Sequence, residues 1–201
     1  VNVNEYDLST PWDVSTASSK QSFSVNTQEA NPTGVFFKPD GTKMYVIGQS
    51  GKDVNEYNLA TPWDVSTASY LRVFDVSERE DQPSGVFFKP DGTKMYVVGT
   101  TDVNVNEYDL STPWDVSSSN FTHNLSVTSQ DTSPTGVFFK PDGTKMYVGG
   151  GTGKDVNEYD LSTPWNVNTS SFIQVFDVST QEANLEGIFF KPDGTKMYVV
   201  G

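Results

Sequence analysis

One fifteen-residue phrase recurs along this chain and leaves few folds open to it. Gly34-Val-Phe-Phe-Lys-Pro-Asp-Gly-Thr-Lys-Met-Tyr-Val-Ile-Gly48 returns almost letter for letter at Gly85–Gly99, Gly136–Gly150 and Gly187–Gly201, 51 residues apart each time and without insertion or deletion. A fixed period of this size belongs to architectures in which one supersecondary unit is copied and stacked. Gly-Val-Phe-Phe-Lys and Lys-Met-Tyr-Val-Ile are short runs of aromatic and β-branched residues, the composition of strands. Between them, Pro39-Asp40-Gly41 is turn chemistry: Pro presets φ, and Gly supplies the positive φ that closes a bulged hairpin. The repeated phrase predicts a β-hairpin.

The rest of the period supplies two more strands. Val1–Leu8 alternates apolar and polar residues and matches Val54–Leu59, Val105–Leu110 and Val156–Leu161. Lys20–Val25 corresponds to Tyr70–Val76, Phe121–Val127 and Phe172–Val178, another alternating run. Between these two lies Thr10-Pro11-Trp12-Asp13 and its copies, which reads as a single turn capped by Thr and carrying a Trp. Each unit thus holds four strands, A and B in the hairpin, then C and D. Four-stranded antiparallel units repeated at 40–50 residues are the blades of a β-propeller, and a stacked β-solenoid lacks such tight hairpins. The blades are expected at 34–79, 85–130 and 136–181. Pairing 187–201 with 1–29 would make a composite fourth blade, close the ring and bury two edges. A larger ring and an open array are the alternatives.

The pattern Pro-x-Gly-Val-x-Phe-x-Pro-Asp-Gly-Thr-Lys-x-Tyr-Val resembles the core of YVTN-type and related TolB/NHL-like β-propeller repeats of bacterial and archaeal surface and secreted proteins. The resemblance covers all four units, although the Leu-Ser-Thr-Pro-Trp-Asp-Val-Ser loop departs from the usual linker. It implies a propeller fold and an extracellular or cell-surface location. It implies no activity, since propellers host many functions on one scaffold.

Composition narrows the partners. The 26 acids and 13 bases give a net charge of −13, which disfavours nucleic acid or an anionic membrane as partner. No apolar run is long enough to span a membrane as a helix. Cysteine is absent, so disulfides and thiolate metal sites are out. Asn120, Asn124 and Asn168 form N-x-Ser/Thr sequons, relevant only in a glycosylating pathway.

The exact period lets the units be compared column by column. The A–B turns are identical and the C–D loops nearly so, whereas differences gather in strand D and in the D–A and B–C loops. Those two loop sets emerge on one face, which reads either as a binding face or as drift after duplication. Its candidate ligand-binding residues are Glu29, Asn31, Glu80, Gln82, Asp131, Ser133, Glu182 and Asn184. The acids among them, Glu29, Glu80, Asp131 and Glu182, would circle the channel mouth and are weak candidates for Ca²⁺, with local amide capping the plainer reading. No other cofactor is expected. The strand C acids Glu5, Glu56, Glu107 and Glu158 are better explained by pairing with the strand B lysines than by catalysis. Trp12, Trp63, Trp114 and Trp165 read as plugs between blades. His123 stands alone, and no catalytic triad or phosphate loop is present. The expected function is a non-enzymatic module binding protein or glycan through the variable face. A structural repeat that self-associates into a larger ring or filament is the alternative. A carboxylate-based hydrolase or lyase at the channel mouth is the third reading.

Overall fold

A computed structural model describes residues 1–201 as sixteen strands and four single 3-10 turns. Three four-stranded antiparallel sheets carry the repeat. They are β3–β6 (Pro32–Phe37, Lys43–Gly48, Asp53–Leu59, Ala68–Asp75), β7–β10 (Pro83–Phe88, Lys94–Gly99, Asn104–Leu110, Ser119–Ser126) and β11–β14 (Pro134–Phe139, Lys145–Gly150, Asp155–Leu161, Ser170–Asp177). Each sheet runs in sequence order, as propeller blades do. The hairpin turn forms as its residues dictate: Gly41 sits at φ +72, and Asp40 Oδ1 accepts the amide of Thr42 at 3.0 Å. Strand D begins earlier than the sequence suggests, at Ala68 and Ser119, and a bulge beside Glu56 and Tyr57 sets its register against strand C.

The C–D turn differs in detail from the expectation. Asp13, Asp64, Asp115 and Asn166, not the threonines, cap the 3-10 turns Val14–Thr16, Val65–Thr67, Val116–Ser118 and Val167–Thr169. The preceding Trp takes φ near +66, the left-handed region a bulky side chain seldom occupies. That conformation folds the indole back over the A–B turn of its own blade, where a Cβ on Gly92 would overlap Trp114. Glycine is therefore required there twice over, for its φ and for the ring above it.

Neighbouring blades join by the same contacts at each step. The innermost strands come so close that a Cβ on Gly85 would stand 3.2 Å from the Gly136 Cα. Ser84 Oγ donates to the Pro134 carbonyl at 2.7 Å, and Thr33 Oγ1 to that of Pro83 at 2.9 Å. Further out, the Tyr45 and Tyr96 hydroxyls donate to the carbonyls of Trp114 and Trp165 at 2.8 and 2.7 Å. Trp114 lies across the seam between Phe36 of one blade and Phe88 of the next, and Trp165 repeats this with Phe87 and Phe139. These rings, with buried Tyr45, Tyr96, Met95 and Met146, form the core.

The ends depart from the closed four-blade ring. β1 (Asn2–Leu8) pairs only with β2 (Ala17–Ser24), and β15 (Gly187–Phe190) only with β16 (Met197–Val200). The two halves stay in separate sheets, so the composite of 187–201 with 1–29 is not formed. Two complete seams join the three full blades, and a partial seam joins each two-stranded end to its neighbour.

Candidate functional site

Four D–A segments and three B–C loops meet at one end of the stack around a polar cavity of about 600 Å³. Rigid strands position this rim: each D–A loop ends in the innermost strand of a blade, so residues just before Gly34, Gly85, Gly136 and Gly187 face the axis. Asn31, Ser133 and Asn184 line the cavity, and Gln82 stands behind Thr100, whose hydroxyl it accepts at 3.3 Å. Thr33, Ser84 and Thr135 also line it with their hydrogens committed to backbone carbonyls, which leaves oxygen lone pairs toward the cavity.

Three of the four acids of the variable face lie beneath this surface, and the fourth, Glu182, is half-buried. Glu29 and Glu80 have no exposed area and Asp131 almost none. Glu29 accepts the amides of Asn31 (2.6 Å), Ser50 (3.1 Å) and Gly51 (2.9 Å). Glu80 accepts those of Gln82, Thr101 and Asp102 at 2.8–3.2 Å. Asp131 binds Ser133 and Gly153, and Glu182 binds Asn184. Glu29, Glu80 and Asp131 tie their D–A loops to the adjoining B–C loops, whereas Glu182 holds only an amide of its own loop. No group of three or more acidic, His or Cys side chains is placed to hold a metal ion.

Sequence comparison missed Glu186, which lines the same cavity. It is exposed, and its carboxylate enters no ion pair or hydrogen bond. Its column reads Thr33, Ser84, Thr135, Glu186, so the one charged member was visible once that column was isolated. It is the only ionisable side chain lining the cavity.

The other candidates are structural. Lys94 and Lys145 pair with Glu107 and Glu158 at 2.5 Å, and Lys43 with Glu56. The second oxygen of Glu56 and of Glu107 accepts the amide of Val116 or Val167 in the following blade, at 3.1 and 2.9 Å, and Glu5 does the same for Val65 at 3.0 Å. These acids are inter-blade staples. Behind the B–C loops, burial pushes Asp53 up to about 6, with Glu29 and the cross-strand Asp75 adding repulsion. Asp155, buried beside Asp131 and Asp177, is raised in the same way. Asn120, Asn124 and Asn168 are exposed on the outer strands and C–D turn.

No protein-family model matches the sequence, and a search of curated proteins finds no match to it. Solved structures do resemble the fold. A protein from Bacteroides uniformis named as a 6-phosphogluconolactonase superposes with TM-score 0.61 at 14% identity, over 98% of this chain and 56% of its own. The periplasmic gluconolactonase of Pseudomonas aeruginosa gives 0.56 at 17%, over 85% and 42%. Hydrazine synthase of Kuenenia stuttgartiensis gives 0.58 at 18%, over 84% and 41%. The chain thus spans about half the length of these proteins. The propeller expectation stands. The expectation of a non-enzymatic binding module is corrected, because lactonase-named enzymes recur among the proteins that share the fold. An ester-like bond needs only one well-placed base and polar donors, which the third, carboxylate-based reading of the sequence already allows.

Proposed function

We propose that this chain forms part of a lactone-hydrolysing β-propeller whose polar channel mouth receives a polyhydroxylated lactone. The observation that carries this reading is Glu186, a lone unpaired carboxylate on a rim otherwise built of hydroxyls and amides. Hydroxyl oxygens from Thr33, Ser84 and Thr135 accept hydrogen bonds from sugar-type hydroxyls, and the side-chain amides of Asn31, Gln49 and Asn184 offer donors and acceptors. Glu186 takes a proton from water, whose oxygen adds to the lactone carbonyl carbon. The ring C–O bond then breaks, and the proton returns to the departing alkoxide to give the hydroxy acid. An amide donor on the rim stabilises the oxyanion formed between these steps. The fold shared with lactonase-named proteins supports this assignment, as does their extracytoplasmic example for an exported location. Within that group, the Pro-Asp-Gly-Thr-Lys hairpins support a divergent YVTN-type repeat.

The test is titration of acid released from δ-gluconolactone. Turnover above the spontaneous rate is expected, with Glu186→Gln lowering kcat/KM at least about 100-fold. Spontaneous rates in both proteins would remove the reading.

A further inference from the structure

The seam between the first two complete blades holds a cavity of about 300 Å³ that shares no residue with the channel mouth. One wall is the end of β6 and the turn after it, with Phe74, Glu78 and Arg79. The other is formed by β9 and β10, with Tyr108, Ser119 and Phe121. Both walls belong to four-stranded blades, so the cavity owes nothing to the two-stranded ends. Its polar groups are short of acceptors. Tyr108 is 2% exposed and its hydroxyl has no hydrogen-bond partner, and the Ser119 hydroxyl is buried and unpartnered as well. The Arg79 guanidinium lies 4.0 Å from the centre of the Phe121 ring and enters no ion pair or side-chain hydrogen bond. In a chain with 26 acids for 13 bases, an arginine without a carboxylate is out of place. Both hydroxyls have a hydrogen to give, and the guanidinium can only give.

The repeat shows how this shortage arises. Residues 28, 79, 130 and 181 occupy one column and read Gln, Arg, Gln, Gln. At the following seam the side-chain oxygen of Gln130 accepts the hydroxyl of Tyr159, the counterpart of Tyr108, at 3.3 Å. Arg79 places a donor where that acceptor stands. One substitution thus leaves the tyrosine without its acceptor and sets a cation beside it. Buried hydroxyls in that state destabilise the fold until an acceptor reaches them.

We propose that this seam cavity binds a small organic monocarboxylate. The carboxylate accepts from Arg79, Tyr108 and Ser119, and the apolar body of the ligand lies against Phe74 and Val76. A guanidinium stacked on an aromatic face keeps its N–H edge free for such a pair. The flexible arginine stem lets that edge swing to admit the ligand to the two hydroxyls beside it. Asp75 turns its carboxylate to the Ser77 amide at 2.8 Å, which leaves Glu78 as the acid on the rim. That rim sets the charge of the ligand: a single carboxylate is held, and a phosphate dianion is repelled. The site is independent of the lactonase reading.

Butyrate titrated into the protein at constant ionic strength, with chloride as the balancing anion, tests the site by amide resonance shifts. Resonances of Arg79, Ser119 and Phe121 should shift and saturate, while those of Gln130, Ser170 and Phe172 at the next seam stay in place. Arg79→Gln installs the acceptor of the neighbouring seam, and it should weaken binding at least about tenfold without lowering the melting temperature. Tyr108→Phe should weaken binding about three- to tenfold and leave the fold at least as stable, because it deletes an unpaired buried hydroxyl. Tyr159→Phe serves as control and should leave the affinity unchanged. Phosphate that binds as tightly as butyrate overturns the monocarboxylate site in favour of a general anion site. Affinity that survives both Arg79→Gln and Tyr108→Phe overturns it too. No saturable shift at this seam overturns it outright and leaves the two hydroxyls to water.

Discussion

Glu80 has no exposed surface and accepts amides from Gln82, Thr101 and Asp102, so its charge is matched entirely by backbone donors. Glu80→Gln keeps the shape but turns an N–H pair toward those donors. Urea unfolding should show a loss of about 2–3 kcal/mol, the scale of a charged hydrogen-bond group left badly matched in the interior. The recurring acid sign in this column was legible in the sequence; its direction was not, because a carboxylate facing an amide and one facing a channel look alike in letters. Glu186 was missed for the opposite reason, as one departure in a column of hydroxyls. Asp53 has the pH signature. Its folded pKa, about 6, lies above the value of 3.8 for a free carboxyl, so the fold holds the proton more tightly. Stability contributed by this group therefore falls as pH climbs from about 4 to about 6, and the penalty is full above that. Asn104 already stands in the equivalent position, opposite Ser126 rather than an aspartate. Asp53→Asn should gain about 1 kcal/mol at pH 7.5, after allowing for the group's partial exposure, and show no gain at pH 4. Thermal unfolding at the two pH values decides it.

At the level of elements, the A–B hairpin was fully legible, because Pro, Asp and Gly each have one reason to sit where they do. The D strand was less so: Ala68-Ser69 and Ser119-Asn120 carry no period-two signal, yet they pair because the 3-10 turn delivers them to strand C. The Trp turn was misread at its cap. Asp13 rather than Thr10 accepts the first amide, since the chain must pass through positive φ at Trp12 before the turn can begin. That costs strain of order 1–2 kcal/mol per turn, which the packing of the indole offsets. Trp165 is 8% exposed and lies against Phe87, Phe139 and the Gly143 turn, with Lys89 near its face. Trp165→Ala removes the seam plug and should cost about 3–5 kcal/mol in denaturant unfolding. The same change at exposed Trp12 should cost the isolated chain less than about 1 kcal/mol.

Across the whole molecule, stability is a sum over blades and seams, as in other repeat proteins where each unit contacts only its neighbours. The 51-residue period made the blades and their order readable, but ring closure was not, because the turn per seam depends on how indole, phenylalanine and glycine pack. The burial pattern follows from this. β8, flanked by blades on both sides, is buried along five of its six residues, whereas β16 has none buried and β1 lies almost wholly exposed. Local opening should therefore be cheapest at the two ends and dearest in β7–β10. Hydrogen exchange on a dilute sample should show amides of β8 and β9 exchanging slowest and those of β1 and β16 fastest. Equal exchange in all blades would contradict the nearest-neighbour picture.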